Sequence, residues 1–130
     1  MTKILVIEDE PMVSRMYGKI IEFEKFEVVS AIGGKEGLEK AKSEKPDLIL
    51  LDIMMPEPNG IRVLEDLKAD PATKNIPVVM ITNLSGKNDS ELALSKGATD
   101  YWVKKEINPQ DLGQKIKKIL ETGKDMIPEN

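Results

Sequence analysis

Five short apolar runs punctuate the chain: Ile4–Ile7, Val28–Val29, Leu48–Leu51, Val78–Ile81 and Tyr101–Val103. Runs this short and continuous suit strands buried on both faces, as in a parallel sheet. Longer stretches with helical spacing separate them. In residues 11–25, Val13, Met16, Tyr17, Ile20 and Ile21 fall at i, i+3, i+4, i+7 and i+8, behind Pro11, which suits a first helical turn. A second helix is predicted over about 34–44, with Leu38 and Ala41 on its apolar side. A third, over about 59–69, carries Ile61, Leu64 and Leu67. A fourth, about 88–96, ends at Gly97, which suits the position just past a helix C-terminus. The fifth opens on Asn108, Pro109 and Asp111, read as N-cap, N1 and N3, and carries the stripe Leu112, Ile116, Ile119 and Leu120.

Strand and helix thus alternate five times in 130 residues. Such alternation implies parallel strands joined by right-handed crossovers. The predicted fold is a flavodoxin-like, doubly wound α/β sheet: five parallel strands in the order 2-1-3-4-5, with five helices in a three-layer α/β/α arrangement. The length supports one domain, expected over residues 1–121. Residues 122–130, with Gly123 and Pro128, read as a tail or the start of a linker.

The polar residues that close the apolar runs are more specific. The first run ends in Glu8-Asp9, with Glu10 next, the third in Asp52, the fourth in Thr82 and the fifth in Lys104-Lys105. A polar residue can simply end a buried strand. In an open parallel sheet, however, ligands bind beyond the carboxyl ends of the strands where the strand order reverses. For the order 2-1-3-4-5 that place lies between strands 1 and 3, which supply the carboxylates. Three close carboxylates repel one another, and a divalent cation removes the difficulty. Asp9 with Glu8 can hold such a cation, and Asp52 can act as a nucleophile toward phosphorus. Lys104 can pair with a phosphate oxygen, and Thr82 can donate a hydrogen bond to another.

Composition narrows the chemistry. Nineteen Lys and Arg against 23 Asp and Glu give a net charge of −4, which disfavours general nucleic-acid affinity, since phosphate binding needs a basic face. The chain has no histidine and no cysteine. That excludes histidine bases and ligands, thiol nucleophiles, zinc ribbons and disulfides within it. Any metal site must use oxygen ligands, which favours Mg²⁺, Mn²⁺ or Ca²⁺. No apolar run approaches the roughly 20 residues of a membrane helix. A soluble cytoplasmic protein with no direct nucleic-acid or membrane partner is expected.

At these residues the sequence resembles the receiver domain of bacterial response regulators, over roughly residues 3–121. The resemblance is carried by Ile4-Leu5-Val6-Ile7-Glu8-Asp9-Glu10; by Asp47 through Pro56, with Gly60 beyond; by Pro77-Val78-Val79-Met80-Ile81-Thr82; and by Gly97 through Lys104. It implies that Asp52 accepts a phosphoryl group from a sensor histidine kinase or a histidine phosphotransfer protein. It implies Mg²⁺, or Mn²⁺ in its place, on Asp9, Asp52 and the Met54 backbone carbonyl, with Glu8 contributing. Lys104 would bind the phosphate, and Thr82 and Tyr101 would form a coupled switch. The output would pass through the surface of helix 4, strand 5 and helix 5, to an effector protein or a second copy. Catalysis would be limited to the domain's own phosphorylation and dephosphorylation.

The sequence also departs from that family. Glu8 stands where Asp is commoner. Lys105 stands where a proline after a cis bond is usual, so either a trans bond with an altered loop or a strained cis bond is expected at Lys104–Lys105. Asn83 follows Thr82 where a small residue is usual, and would crowd access to the phosphate. Met54 and Leu84, at positions that tune dephosphorylation, are both apolar and would position a water poorly, so a long-lived phosphoryl state is expected. Gly33-Gly34 with Gly37 matches no nucleotide-loop spacing and reads as a turn and helix start. Asp70-Pro71-Ala72-Thr73 reads as a turn, Lys115, Lys117 and Lys118 as a solvated face, and Trp102 as packing on the sheet face opposite Tyr101. The competing functions are a Mg²⁺-dependent phosphatase with an Asp nucleophile, a degenerate receiver that is not phosphorylated, and a flavodoxin-type electron carrier. The phosphatase is disfavoured because Asp52-Ile53-Met54 lacks a second acid. The electron carrier is disfavoured because the first loop is acidic.

Overall fold

A computed structural model describes residues 1–84 and 86–122. Five strands and five α-helices alternate: β1 Lys3–Ile7, α1 Pro11–Phe23, β2 Glu27–Ala31, α2 Gly34–Glu44, β3 Leu48–Leu51, α3 Gly60–Ala69, β4 Val78–Thr82, α4 Lys87–Ser95, β5 Asp100–Val103 and α5 Pro109–Thr122. All strands are parallel, in the order β2-β1-β3-β4-β5. The expected flavodoxin-like fold is the one observed.

Side chains alternate across each strand, and here they feed two cores. Leu5, Ile7, Ile49, Leu51, Val78 and Met80 pack with Val63, Leu64 and Leu67 of α3 on one side. Ile4, Val6, Leu48, Leu50, Val79 and Ile81 pack on the other with Tyr17 and Ile21 of α1 and Leu112, Ile116 and Ile119 of α5. Every residue of β3 and β4 is buried. That double burial is why their sequences are continuous apolar runs rather than alternating ones. Tyr101 packs against the first core and Trp102 belongs to the second, on opposite sheet faces as expected.

The helix ends obey local chemistry. Pro11 begins α1, whose last turn closes at Phe23, two residues before the predicted end. Lys25 then adopts φ 72°, a left-handed turn that no glycine announces. Asn59 caps α3 by accepting a hydrogen bond from the Arg62 backbone N–H at 3.1 Å. Asn108 caps α5 in the same way, accepting from Asp111 N–H at 3.0 Å. Gly97, just past α4, has φ 108°, a conformation side chains resist. The 70–73 segment is a turn, with Asp70 Oδ1 accepting from Ala72 N–H at 2.9 Å and the Thr73 hydroxyl donating to Leu67 O at 2.6 Å. Gly33 and Gly34 begin α2 and do not form a nucleotide loop. The lysines of α5 are engaged more than a solvated face implies. Lys117 pairs with Glu24 at 3.1 Å, and the Lys115 ammonium lies 5.2 Å from the centre of the Trp102 ring. α5 runs through Thr122, and the rest of the predicted tail lies outside the described residues. Among those residues no helix is long and apolar enough to cross a membrane.

Candidate functional site

Strand register delivers the site. Ile7 pairs with Leu51, so Glu8 and Asp52 leave β1 and β3 side by side. The ladder continues one step past the strands. Asp52 N–H donates to Ile7 O at 3.2 Å and Glu8 N–H to Ala31 O at 3.1 Å, which holds both residues at the carboxyl end of the sheet. Alternation then sorts the strand-end residues. Glu8, Asp52 and Lys104 share parity with Val6, Leu50 and Trp102, the side covered by α1 and α5. Thr82 and Tyr101 share parity with Met80, the other side. The pocket therefore has a charged half and a hydroxyl half.

In the charged half Lys104 is the hub. Its ammonium donates to Glu8 Oε1 at 2.9 Å and to Asp52 Oδ2 at 3.0 Å. Glu8 and Asp52 are buried and Lys104 is mostly covered. Asp52 Oδ1 accepts the Met54 backbone N–H at 3.1 Å, and Glu8 Oε2 accepts the Glu10 N–H at 3.2 Å. Burial pushes the Glu8 carboxyl above its ordinary range, only partly offset by Lys104. Burial works against the Lys104 ammonium, but the two carboxylates reverse this and leave its pKa raised. Asp9 is half-buried and lines the open cleft above, of about 200 Å³, with Glu10, Asp52, Met54, Asn83 and Lys104.

Ligand atoms of Glu8, Asp9 and Asp52 lie within 4.8 Å of one another. Against the single positive charge of Lys104, two negative charges stay uncompensated when all three acids ionise. An oxygen-only donor set with that deficit fits a hard divalent cation.

The hydroxyl half is joined through Leu84. Its backbone N–H approaches Thr82 Oγ1 at 3.4 Å, and its carbonyl accepts the Tyr101 hydroxyl at 2.7 Å. Thr82 is fully buried and Tyr101 half-buried. The Leu84 side chain packs on the first core, so it does not reach over Asp52. The Met54 side chain is 57% exposed, and Asn83 is exposed at the cleft.

The fifth strand runs into a short 3-10 turn, Lys104–Glu106. Among the described residues the cis bond is Glu57–Pro58, so Lys104–Lys105 is trans with an altered loop, the first of the two expected outcomes.

Two residues gain a place that sequence reasoning did not give them. Tyr17, read as part of an apolar stripe, is buried beside the charged half. Burial, only partly offset by the Lys104 ammonium, pushes its hydroxyl up to about 12. Gly60, noted only as lying beyond the third run, begins α3 where any Cβ would fall on Asp52 O and Ile53 Cα. Its N–H donates to Ile53 O at 2.9 Å, so the helix is seated directly on the chain that carries Asp52. The signal was a glycine at a helix start that already had an asparagine cap.

The fold and strand-end constellation define a known class, and comparison with known proteins agrees. The response regulator receiver domain family matches residues 4–117, and the chain belongs to that family. It is 36% identical over 118 residues to the alkaline phosphatase synthesis transcriptional regulatory protein PhoP of Bacillus subtilis, covering 91% of this chain and 48% of that protein. It is 41% identical over 102 residues to the response regulator PleD of Caulobacter vibrioides, covering 78% of this chain and 22% of that one. The chain thus spans half or less of the length of these curated relatives. A CheY-like receiver domain protein from Methanospirillum hungatei superposes with a TM-score of 0.83 at 34% identity, covering 93% and 94% of the two chains. The BeF3-activated N-terminal receiver domain of Klebsiella pneumoniae RstA superposes with a TM-score of 0.84 at 32% identity, covering 92% and 98%.

Proposed function

We propose that this receiver domain is phosphorylated on Asp52 with a divalent cation, Mg²⁺ or Mn²⁺, and that the change alters its binding to a partner. The observation that carries the reading is Lys104, seated between Asp52 and Glu8 at 3.0 and 2.9 Å. Glu8, Asp9 and Asp52, with the Met54 carbonyl, would hold the cation, which would neutralise charge on the incoming phosphoryl oxygens. A carboxylate oxygen of Asp52 attacks phosphorus in line and the donor's histidine nitrogen leaves with the bond electrons. Lys104 then exchanges one carboxylate contact for a phosphate oxygen, as a mobile point charge can. The histidine that this chain lacks belongs to the donor, a sensor kinase or phosphotransfer protein.

Thr82 would turn its hydroxyl toward the phosphate, giving up its weak contact with Leu84 N–H. Leu84 is also bonded to Tyr101, so the two switch residues move through one backbone segment. The readout would be the α4–β5–α5 face, where Leu92 and Leu94 of α4 are each close to half exposed. Its occupant would be an effector protein or a second copy. The domain would catalyse only its own phosphorylation and dephosphorylation, in the cytoplasm.

The test is incubation with Mg²⁺ and beryllofluoride, with Tyr101 and Trp102 fluorescence as the readout. A saturable change that Asp52→Asn abolishes is expected. No change in the unaltered protein would point to a degenerate receiver. Turnover of a phosphate ester would favour the phosphatase.

A further inference from the structure

A cavity of about 400 Å³ lies between α1 and the start of α5, on the charged side of the sheet. Val13 and Ile20 of α1, Ile81 of β4 and Leu112 of α5 wall it. This volume is within the roughly 300–1,000 Å³ range of small-ligand pockets, whose walls are apolar and whose few polar groups fix orientation. Three polar side chains here are uncommitted: Tyr17, Lys105 and the neutral amide of Asn83. Tyr17 is 4% exposed, yet its hydroxyl makes no hydrogen bond among the described residues, and that oxygen is open to the cavity rather than sealed. A phenol this buried, held protonated and without a partner, is a donor awaiting an acceptor. Lys105, on the cavity rim, is exposed and pairs with no carboxylate among the described residues. Lys104, which also lines the cavity, is already committed to Glu8 and Asp52.

We infer that this cavity is a binding site for a small amphipathic organic anion. Its apolar body would lie between α1 and α5, and its carboxylate or sulfonate would accept from Tyr17 and face Lys105. The uncommitted groups are a cation, an O–H donor and a neutral amide; the Glu8 and Asp52 carboxylates, which act on the Tyr17 hydroxyl, are held by Lys104, so the one unpaired charge among the described lining residues is Lys105 and charge complementarity selects an anionic head. The inference stands apart from phosphorylation at Asp52.

The test uses the whole chain, metal-free, with naphthalene-2-sulfonate as the anionic probe and 2-naphthol as its uncharged counterpart. Binding is monitored by backbone amide NMR shifts and by Trp102, which packs with Ile81 and Leu112 of the cavity wall. The expected result is saturable binding with shifts confined to Val13–Ile20, Ile81–Asn83 and Lys104–Leu112, and the sulfonate binding tighter than the naphthol. Losing one hydrogen bond in Tyr17→Phe should weaken the sulfonate by about fivefold. Lys105→Glu, at an exposed position that leaves the fold intact, should weaken it at least as much. Equal affinity for probe and naphthol would overturn the anion site and leave the cavity as a seat for a partner's apolar side chain. Unchanged affinity in both variants, or shifts centred on Phe23 or Leu92, would also overturn it.

Discussion

Replacing Lys104 with Met tests the electrostatic design of the site. Methionine keeps an unbranched side chain one atom shorter and removes the charge. The substitution deletes two charge-assisted hydrogen bonds, at 2.9 and 3.0 Å, to carboxylates that are 1% and 5% exposed. Removing one member of a buried ion pair costs about 3–5 kcal/mol, mostly because the remaining charges are left uncompensated. Here the ammonium is 14% exposed and the cleft above Asp52 is open, so the lower end, about 3 kcal/mol, applies. For a domain of this size that is a fall in Tm on the order of 10 °C, and a large share of a typical stability of about 5–15 kcal/mol. The assay is urea unfolding at pH 7 without divalent ions, repeated near pH 4 and with Mg²⁺. Near pH 4 the gap should narrow, because burial raises the Glu8 pKa and that carboxyl, one of the two that Lys104 compensates, becomes neutral. With Mg²⁺ the variant should regain more stability than the parent, since the cation restores the missing charge; saturation at about 100 times Kd contributes about 2.7 kcal/mol. A loss below about 1 kcal/mol at pH 7, or a loss equal at both pH values and indifferent to Mg²⁺, would refute the reasoning.

Glu8→Gln should stabilise the metal-free protein at pH 7. Burial raises the Glu8 pKa, so its favourable protonated form is fully present below the ordinary carboxyl range and is lost as pH climbs through the raised value. The advantage of Gln should therefore disappear below about pH 4, and a variant less stable than the parent at pH 7 would contradict this. Tyr101→Phe removes the 2.7 Å bond to Leu84 O while keeping the ring, and should lower stability by about 1 kcal/mol in denaturant unfolding without changing the slope. An unchanged midpoint would show that this bond contributes nothing. Met54, half-exposed at the cleft, and Leu84, packed on the first core, are both apolar, so neither side chain offers a hydrogen bond to hold a water at Asp52. The acyl phosphate should persist for hours with Mg²⁺, and decay within minutes in a phosphate-release assay would remove that account.

The fold was legible because burial on both faces makes continuous apolar runs, and β1, β3 and β4 are such runs. Asn108 and Gly97 announced their helix ends by side-chain chemistry and backbone freedom. The end of α1 was not announced, because Lys25 takes a left-handed conformation that favours glycine. The strand-end residues were legible as a set, since one topology places all of them at the carboxyl end of the sheet. Their pairing was not. Nothing local shows that Lys104 bridges two carboxylates, contacts made across 96 and 52 residues. Tyr17 was hidden by its own periodicity: at a stripe position its ring reads as apolar core, and nothing local says that its hydroxyl reaches open space. Leu84 was marked for its side chain, but its backbone is what joins Thr82 to Tyr101.

The central claim is that Asp52 is the phosphoryl acceptor. The most direct measurement is mass spectrometry of the intact protein after incubation with Mg²⁺ and acetyl phosphate, with the modified residue located by borohydride reduction of the acyl phosphate. One phosphoryl group per chain, mapped to Asp52 and absent both in Asp52→Asn and when the metal is chelated, is the predicted result. Phosphorylation that persists in Asp52→Asn, or a protein that stays unmodified with Mg²⁺ and donor in excess, would contradict it.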